Sequence, residues 1–126
     1  MRRSTLILET ASGAHSIEIE IPETVVEQRA GLGFRRHVPP DTGMLFLYSS
    51  GQEVSMWMKD THVSLDMVFI KPDGTVHRIE AHTVPLSHAV VPSRGNVVAV
   101  LELAAGSAQR MLLAPGDRVV HPVFGS

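Results

Sequence analysis

The sequence predicts an all-β fold, a single-domain β-sandwich or barrel-like structure with two short helices. Three observations carry this: several short strand-length segments, turn signals every ten or so residues, and no alternation of strands with helical patterns. There is no internal repeat, low-complexity tract or interior linker, so residues 1–126 read as one domain. From the N-terminus, His15 to Ile21 alternates with period two, with Ile17, Ile19 and Ile21 on one face and Ser16, Glu18 and Glu20 on the other. That is a half-buried strand, and Thr5 to Glu9 pairs with it as a hairpin across Ser12-Gly13. Pro22 ends it.

Thr24-Val-Val-Glu27 has the spacing of a capping box and predicts a short helix from Thr24 to about Leu32, stopped by Gly31 and Gly33. Past Pro39-Pro40, Gly43 to Tyr48 is an apolar run of strand length, closed by the polar turn Ser49 to Gln52. Further strands are expected at Val54 to Met58, Leu65 to Ile70, Val76 to Glu80 and Asn96 to Leu103. Lys71-Pro-Asp-Gly74 joins the second and third of these as a hairpin. Ala104 to Leu113 reads as a second short helix, and Pro115-Gly-Asp117 turns into a last strand, Arg118 to His121.

Composition excludes several classes. A chain of 126 residues, 44% of them hydrophobic, can bury roughly two-thirds of its unfolded surface and needs no staple. With no cysteine there is no thiol nucleophile and no disulfide framework. A formal charge of −2 argues against nucleic acid as a partner, because phosphate neutralisation needs a surplus of basic side chains. No segment approaches the ~20 apolar residues of a membrane-spanning helix, and Glu9 cuts the N-terminal apolar run short of an export signal. None of the seven histidines forms a His-x-x-x-His pair, and no phosphate loop, nucleophile elbow or dinucleotide fingerprint is present. No metal and no cofactor is therefore expected.

The residues able to carry chemistry are few. If Val54 to Lys59 is extended, Met56 and Met58 share one face while Trp57 and Lys59, the single Trp and one of two Lys, share the other. Such a pair offers a stacking platform with a charged donor for a sugar ring or a carboxylate, or else a surface cation–π pair in which the Lys stem covers the indole. Asp66 opens a strand on the face of Val68 and Ile70 and needs a partner: Lys59, Arg29, Arg35 or amides of the Thr61 to Ser64 turn. Glu102 shares a face with Val98 and Val100 at the end of a strand apolar on both sides, so it meets a cation or lies in a cleft. Two carboxylates in different apolar surroundings suit general acid–base chemistry, and they equally suit buried ion pairs.

These residues also form an ordered set of motifs. Glu27-x-Arg29-x-Gly31-Leu32-x-Phe34-Arg35, Gly43-Met-Leu-Phe46, Trp57-Met-Lys-Asp-Thr61, Leu65-Asp-Met67 with Phe69-Ile70, Val100-Leu-Glu-Leu103 with Gly106, and Pro115-Gly-Asp117 follow one another. Together, from about Ile17 to Val120, they resemble the small bacterial and archaeal family catalogued as domain of unknown function 192. The resemblance implies a compact, mostly β, sandwich-like fold and no established activity. Because members often carry an export signal or lipid anchor, it also implies an extracytoplasmic location for such members. The family pattern usually has Asn at the place of Asp60, Pro at Ser64 and Met at Gly33, so Asp60 adds a negative charge beside Lys59.

What the resemblance adds is grouping, and the expectation is that Arg29, Arg35, Trp57, Lys59, Asp60, Asp66 and Glu102 converge on one polar cleft. The leading function is a module binding a small polar ligand, a saccharide or an organic acid. The alternatives are a structural or protein-interaction domain, and a hydrolase or lyase using Asp66 or Glu102 with Lys59.

Overall fold

The computed structural model describes residues 1–125. Nine strands and two short α-helices follow in the order β1 (Arg2–Thr10), β2 (Gly13–Ile21), α1 (Val25–Ala30), β3 (Thr42–Gln52), β4 (Ser55–Met56), β5 (Leu65–Ile70), β6 (Val76–Glu80), β7 (Val91–Pro92), β8 (Val97–Ala104), α2 (Ser107–Met111) and β9 (Arg118–Val120), and a 3-10 turn spans Pro122–Phe124. The all-β expectation holds. Seven strands form one sheet in the order β6-β5-β8-β3-β2-β1-β9, and β4 pairs with β7 as a separate ribbon. The sheet curls until its edges meet at one end, where a Thr75–Arg118 bridge, Val76 N–H to Asp117 O and Val119 N–H to Gly74 O join the start of β6 to β9.

The two faces of this curled sheet bury different cores. Inside the curl, Leu6, Leu8, Ile17, Ile19, Leu45, Val68, Ile70 and Leu101 pack with Met111 of α2. On the outer face of β3, β5 and β8, Met44, Phe46, Met67, Phe69 and Val100 are covered by Leu32, Val54 and Met58 from the connecting segments. Strand alternation therefore sends consecutive residues of β3, β5 and β8 into opposite cores. Asp66 and Glu102 fall on opposite sides.

The first helix is built as its sequence dictates. Thr24 accepts from the Glu27 amide and the Glu27 carboxylate accepts from the Thr24 and Glu23 amides, a complete capping box. The Glu23 amide is the main influence holding the Glu27 carboxyl below its ordinary range. At its other end Gly31 adopts φ 48°, and a Cβ there would stand 3.3 Å from Phe46 Cζ, so glycine lets α1 close against the sheet.

Four expectations are corrected. β3 continues to Gln52, so Ser49 to Gln52 is strand and not the polar turn expected there. The strand expected over Val54 to Met58 is only Ser55–Met56, because the chain turns beyond it, with Thr61 N–H bonded to Met58 O and Asp60 at φ 60°. The second helix is limited to Ser107–Met111, since Gly106 at φ 91° and Leu112 at φ 57° end it on both sides. Finally, Val98 packs against the inner core rather than sharing the face of Glu102, since the β3–β8 pairing shifts register between Leu47 and Gln52.

Candidate functional site

A cleft of about 510 Å³ opens on the outer face of the sheet. The end of α1 contributes Gln28, Arg29 and Gly31, β3 contributes Phe46 and Tyr48, and the turn after β4 contributes Trp57, Lys59 and Asp60. Glu102 of β8 lines it from within.

The Trp57-Lys59 pair stands at the mouth. Met58 is buried and Met56 half-buried against the outer core, while Trp57 is 52% exposed, so the alternation expected of an extended segment continues past the end of β4. Lys59 Nζ lies 5.3 Å from the centre of the Trp57 ring, a cation–π distance, and His88 packs on the same indole at 5.7 Å. The surface pair foreseen for these residues is thus formed, and it forms as a wall of the cleft. Asp60 sits at φ 60°, a left-handed conformation that Asp and Asn tolerate better than other non-glycine residues, so the Asn implied there by the family resemblance would fit the same backbone.

Glu102 is 5% exposed, and its carboxylate makes no hydrogen bond or ion pair with a described residue. Its neighbours across the strands are Met44 of β3 and Met67 of β5, neither of which offers a hydrogen. Among the described residues no fully enclosed side-chain oxygen or nitrogen lacks a partner, so the partnerless Glu102 oxygens must reach the open space of the cleft. Loss of hydration raises the Glu102 carboxyl from 4.5 to about 7. Tyr48 feels the same site: burial first, and then the Glu102 charge, push its hydroxyl up, and that hydroxyl turns to Met56 Sδ at 3.7 Å.

Two of the expected residues lie elsewhere. Asp66 is fully buried on the inner side of the sheet, where Oδ1 accepts from His82 N–H at 3.0 Å and Oδ2 accepts from Gly106 N–H at 3.1 Å and Ala108 N–H at 3.0 Å. Its partners are backbone amides of two loops, none of them in the Thr61 to Ser64 turn and none a cation. The carboxylate ties the start of α2 to β5 and the Glu80–Thr83 connection. Arg35 pairs with Glu20 at 2.7 Å and lines a second, smaller cleft of about 350 Å³ beside Arg3, Leu32 and Pro39. The seven residues therefore do not converge on one place; Arg29, Trp57, Lys59, Asp60 and Glu102 do.

Tyr48 and Phe46 complete the site and were not foreseen. The signal lay in β3, where Met44, Phe46 and Tyr48 alternate onto the face that Glu102 occupies one strand away, within a run that is apolar at every position. Among the described residues no three His, Asp or Glu side chains gather closely enough to hold a metal ion, and no helix is long and apolar enough to cross a membrane.

Comparison with known proteins finds similar solved structures. The chain is 41% identical to a Sinorhizobium meliloti protein described as a "putative transcription regulator", whose crystal structure superposes with a TM-score of 0.92 over 97% of this chain and 95% of that one. It is 34% identical to a protein of unknown function from Novosphingobium aromaticivorans, with a TM-score of 0.90 over 94% of this chain and 85% of that one. A search of curated proteins found no match. The model of the DUF192 family, described as uncharacterized, matches residues 7–121. With nearly the whole length matched, the chain belongs to the DUF192 family.

Proposed function

We propose that this protein is a single-domain binding module for a small polar ligand, a saccharide or an organic acid, held in the cleft between α1, β3 and the turn after β4. The observation that carries this reading is the pairing of an exposed aromatic wall, Trp57 under Lys59, with a buried carboxylate, Glu102, that no described residue satisfies. Small-ligand sites combine apolar walls with a few convergent polar groups on a rigid scaffold, and here the scaffold is three adjacent strands of one sheet. Asp66, bonded to three backbone amides on the other side of the sheet, supports the scaffold and not the ligand.

A formal charge of −2 makes nucleic acid a poor ligand. Duplex DNA is nonetheless the natural control probe, given how the Sinorhizobium relative is described. A second reading is favoured by the same geometry: Glu102 and Lys59 line one cleft, and a carboxyl that burial pushes up to about 7 is poised for general acid–base work, which would make the cleft a hydrolase or lyase site with Glu102 as the proton carrier and Lys59 as the anion stabiliser.

The single Trp gives the test. Titration of the protein with a library of monosaccharides and small carboxylic acids, followed by Trp57 emission, is expected to yield a saturable change. Calorimetry on Trp57→Ala should then show about tenfold weaker binding, the size of effect expected for one lost stacking contact. No response to any member of the library, together with retardation of duplex DNA, would overturn the proposal.

A further inference from the structure

The charges around the cleft have a definite polarity. The inner wall carries one carboxylate, Glu102, with no partner. The mouth carries two cations, Arg29 and Lys59, neither of which forms an ion pair with a described residue, and one carboxylate, Asp60, also free of one. The exposed mouth is thus net positive and the buried wall negative, and Trp57, Tyr48 and Phe46 line the same cleft.

We infer that the ligand is a small zwitterion, an amine-bearing carboxylic acid of the amino-acid class, with its ammonium group against Glu102 and its carboxylate at Arg29 and Lys59. This deepens the ligand-binding reading above and rests on it. A buried carboxylate gains most from a cation that enters with the ligand, because the charge it meets also brings hydrogen-bond donors. The chain's own cations stay at the rim, Lys59 being drawn over the indole. A ligand carboxylate completes them there, where Arg29 offers a planar fork and Lys59 a point charge. The aromatic walls receive the carbon body of the ligand, and about 510 Å³ is ample for a molecule of this size.

The arrangement couples binding to a proton. Near neutral pH Glu102 is divided between its acid and its carboxylate, and only the carboxylate pairs with an ammonium group. The protonated fraction must release its proton to solvent as the ligand enters. The titratable or charged groups that face Glu102 across the cleft are Tyr48 from β3, Arg29 from α1, and Lys59 and Asp60 from the turn after β4, while the flanking strand positions bring only Met44 and Met67.

The test is calorimetry at pH 7 in two buffers of different ionisation enthalpy. Its probes are free L-amino acids, their N-acetyl derivatives, their carboxamides and neutral monosaccharides. The expected result is binding of free amino acids with release of about half a proton per ligand, and at least about tenfold weaker binding of both the N-acetyl and carboxamide derivatives. Glu102→Gln should abolish the proton release and the discrimination against N-acetylation, while Trp57 emission and circular dichroism report that it is folded. Equal binding of N-acetyl derivatives, or binding of monosaccharides without amino acids, would overturn the zwitterion assignment and leave the ligand-binding reading standing. Binding of no small molecule would overturn both.

Discussion

Asp66 and Glu102 are two buried carboxylates one strand apart, at 0% and 5% exposure, and the protein treats them in opposite ways. Asp66 faces the inner core and accepts three backbone N–H bonds. Glu102 faces the outer core, between Met44 and Met67, and accepts none from a described residue. The difference is a matter of which loops close over each face. The loop before β7 and the start of α2 bring amides down onto the inner side of β5, whereas on the outer side α1 and the turn after β4 stand apart and leave a cleft. Burial of a charged group marks a place where something is required, and its hydrogen bonds decide whether the fold or a ligand meets that requirement.

The largest effect that would test this contrast is expected from Asp66→Ala. Removing the carboxylate leaves three buried or half-buried amides without an acceptor, and the loss should be about 4 kcal/mol in urea denaturation. A loss below about 1 kcal/mol would erase the structural role assigned to Asp66.

Glu102→Gln should act with the opposite sign. Below pH 4.5 the Glu102 carboxyl is protonated in the folded and unfolded chains alike and contributes nothing to the pH dependence. Between 4.5 and about 7 the unfolded chain gives up its proton while the folded chain keeps it, so stability falls as pH rises, and above about 7 the full penalty remains. That interval corresponds to about 3 kcal/mol. The variant should therefore be more stable than the parent by up to about 3 kcal/mol at pH 8 and nearly equal to it at pH 4. Denaturation curves at the two pH values check the sign, and a variant destabilised at pH 8 would mean that Glu102 has a partner.

Smaller effects calibrate these two. Thr24→Ala removes one half of the capping box and should cost about 1 kcal/mol by thermal or urea unfolding. Lys59→Ala should change stability by less than about 0.5 kcal/mol, since Lys59 is exposed and holds only a cation–π contact, yet it should weaken binding of a carboxylate-bearing ligand. A stability loss as large as that of Asp66→Ala would move Lys59 from the site to the scaffold.

Much of this contrast was legible in the chain and some was not. The bounds of β5 and β6 match those expected of them, because the local turn signal Lys71-Pro-Asp-Gly74 ends the first and starts the second. Thr24 and Glu27 announce α1 through contacts made within four residues. The short β4 and its partner β7 were not legible as a pair, since Ser55 meets Pro92 and Met56 meets Val91 across an intervening stretch that carries two other strands. In the site, Glu102, Trp57 and Lys59 stand out by rarity or by polarity among apolar neighbours. Asp66 stands out for the same reason, but its partners are backbone amides of His82, Gly106 and Ala108, and an amide leaves no mark in a sequence. Arg35 shares a motif with Arg29 and yet turns to Glu20, since its place six positions on from Arg29, beyond the end of α1, brings it to a different cleft.

The most direct measurement is the titration of the Glu102 carboxyl carbon by NMR, with Glu102→Gln identifying the resonance. An inflection near 7, falling when a saturating small amine-bearing acid is added, is the result predicted for a buried carboxylate that waits for a partner from solution. An inflection near the ordinary 4.5, unmoved by any ligand, would contradict it.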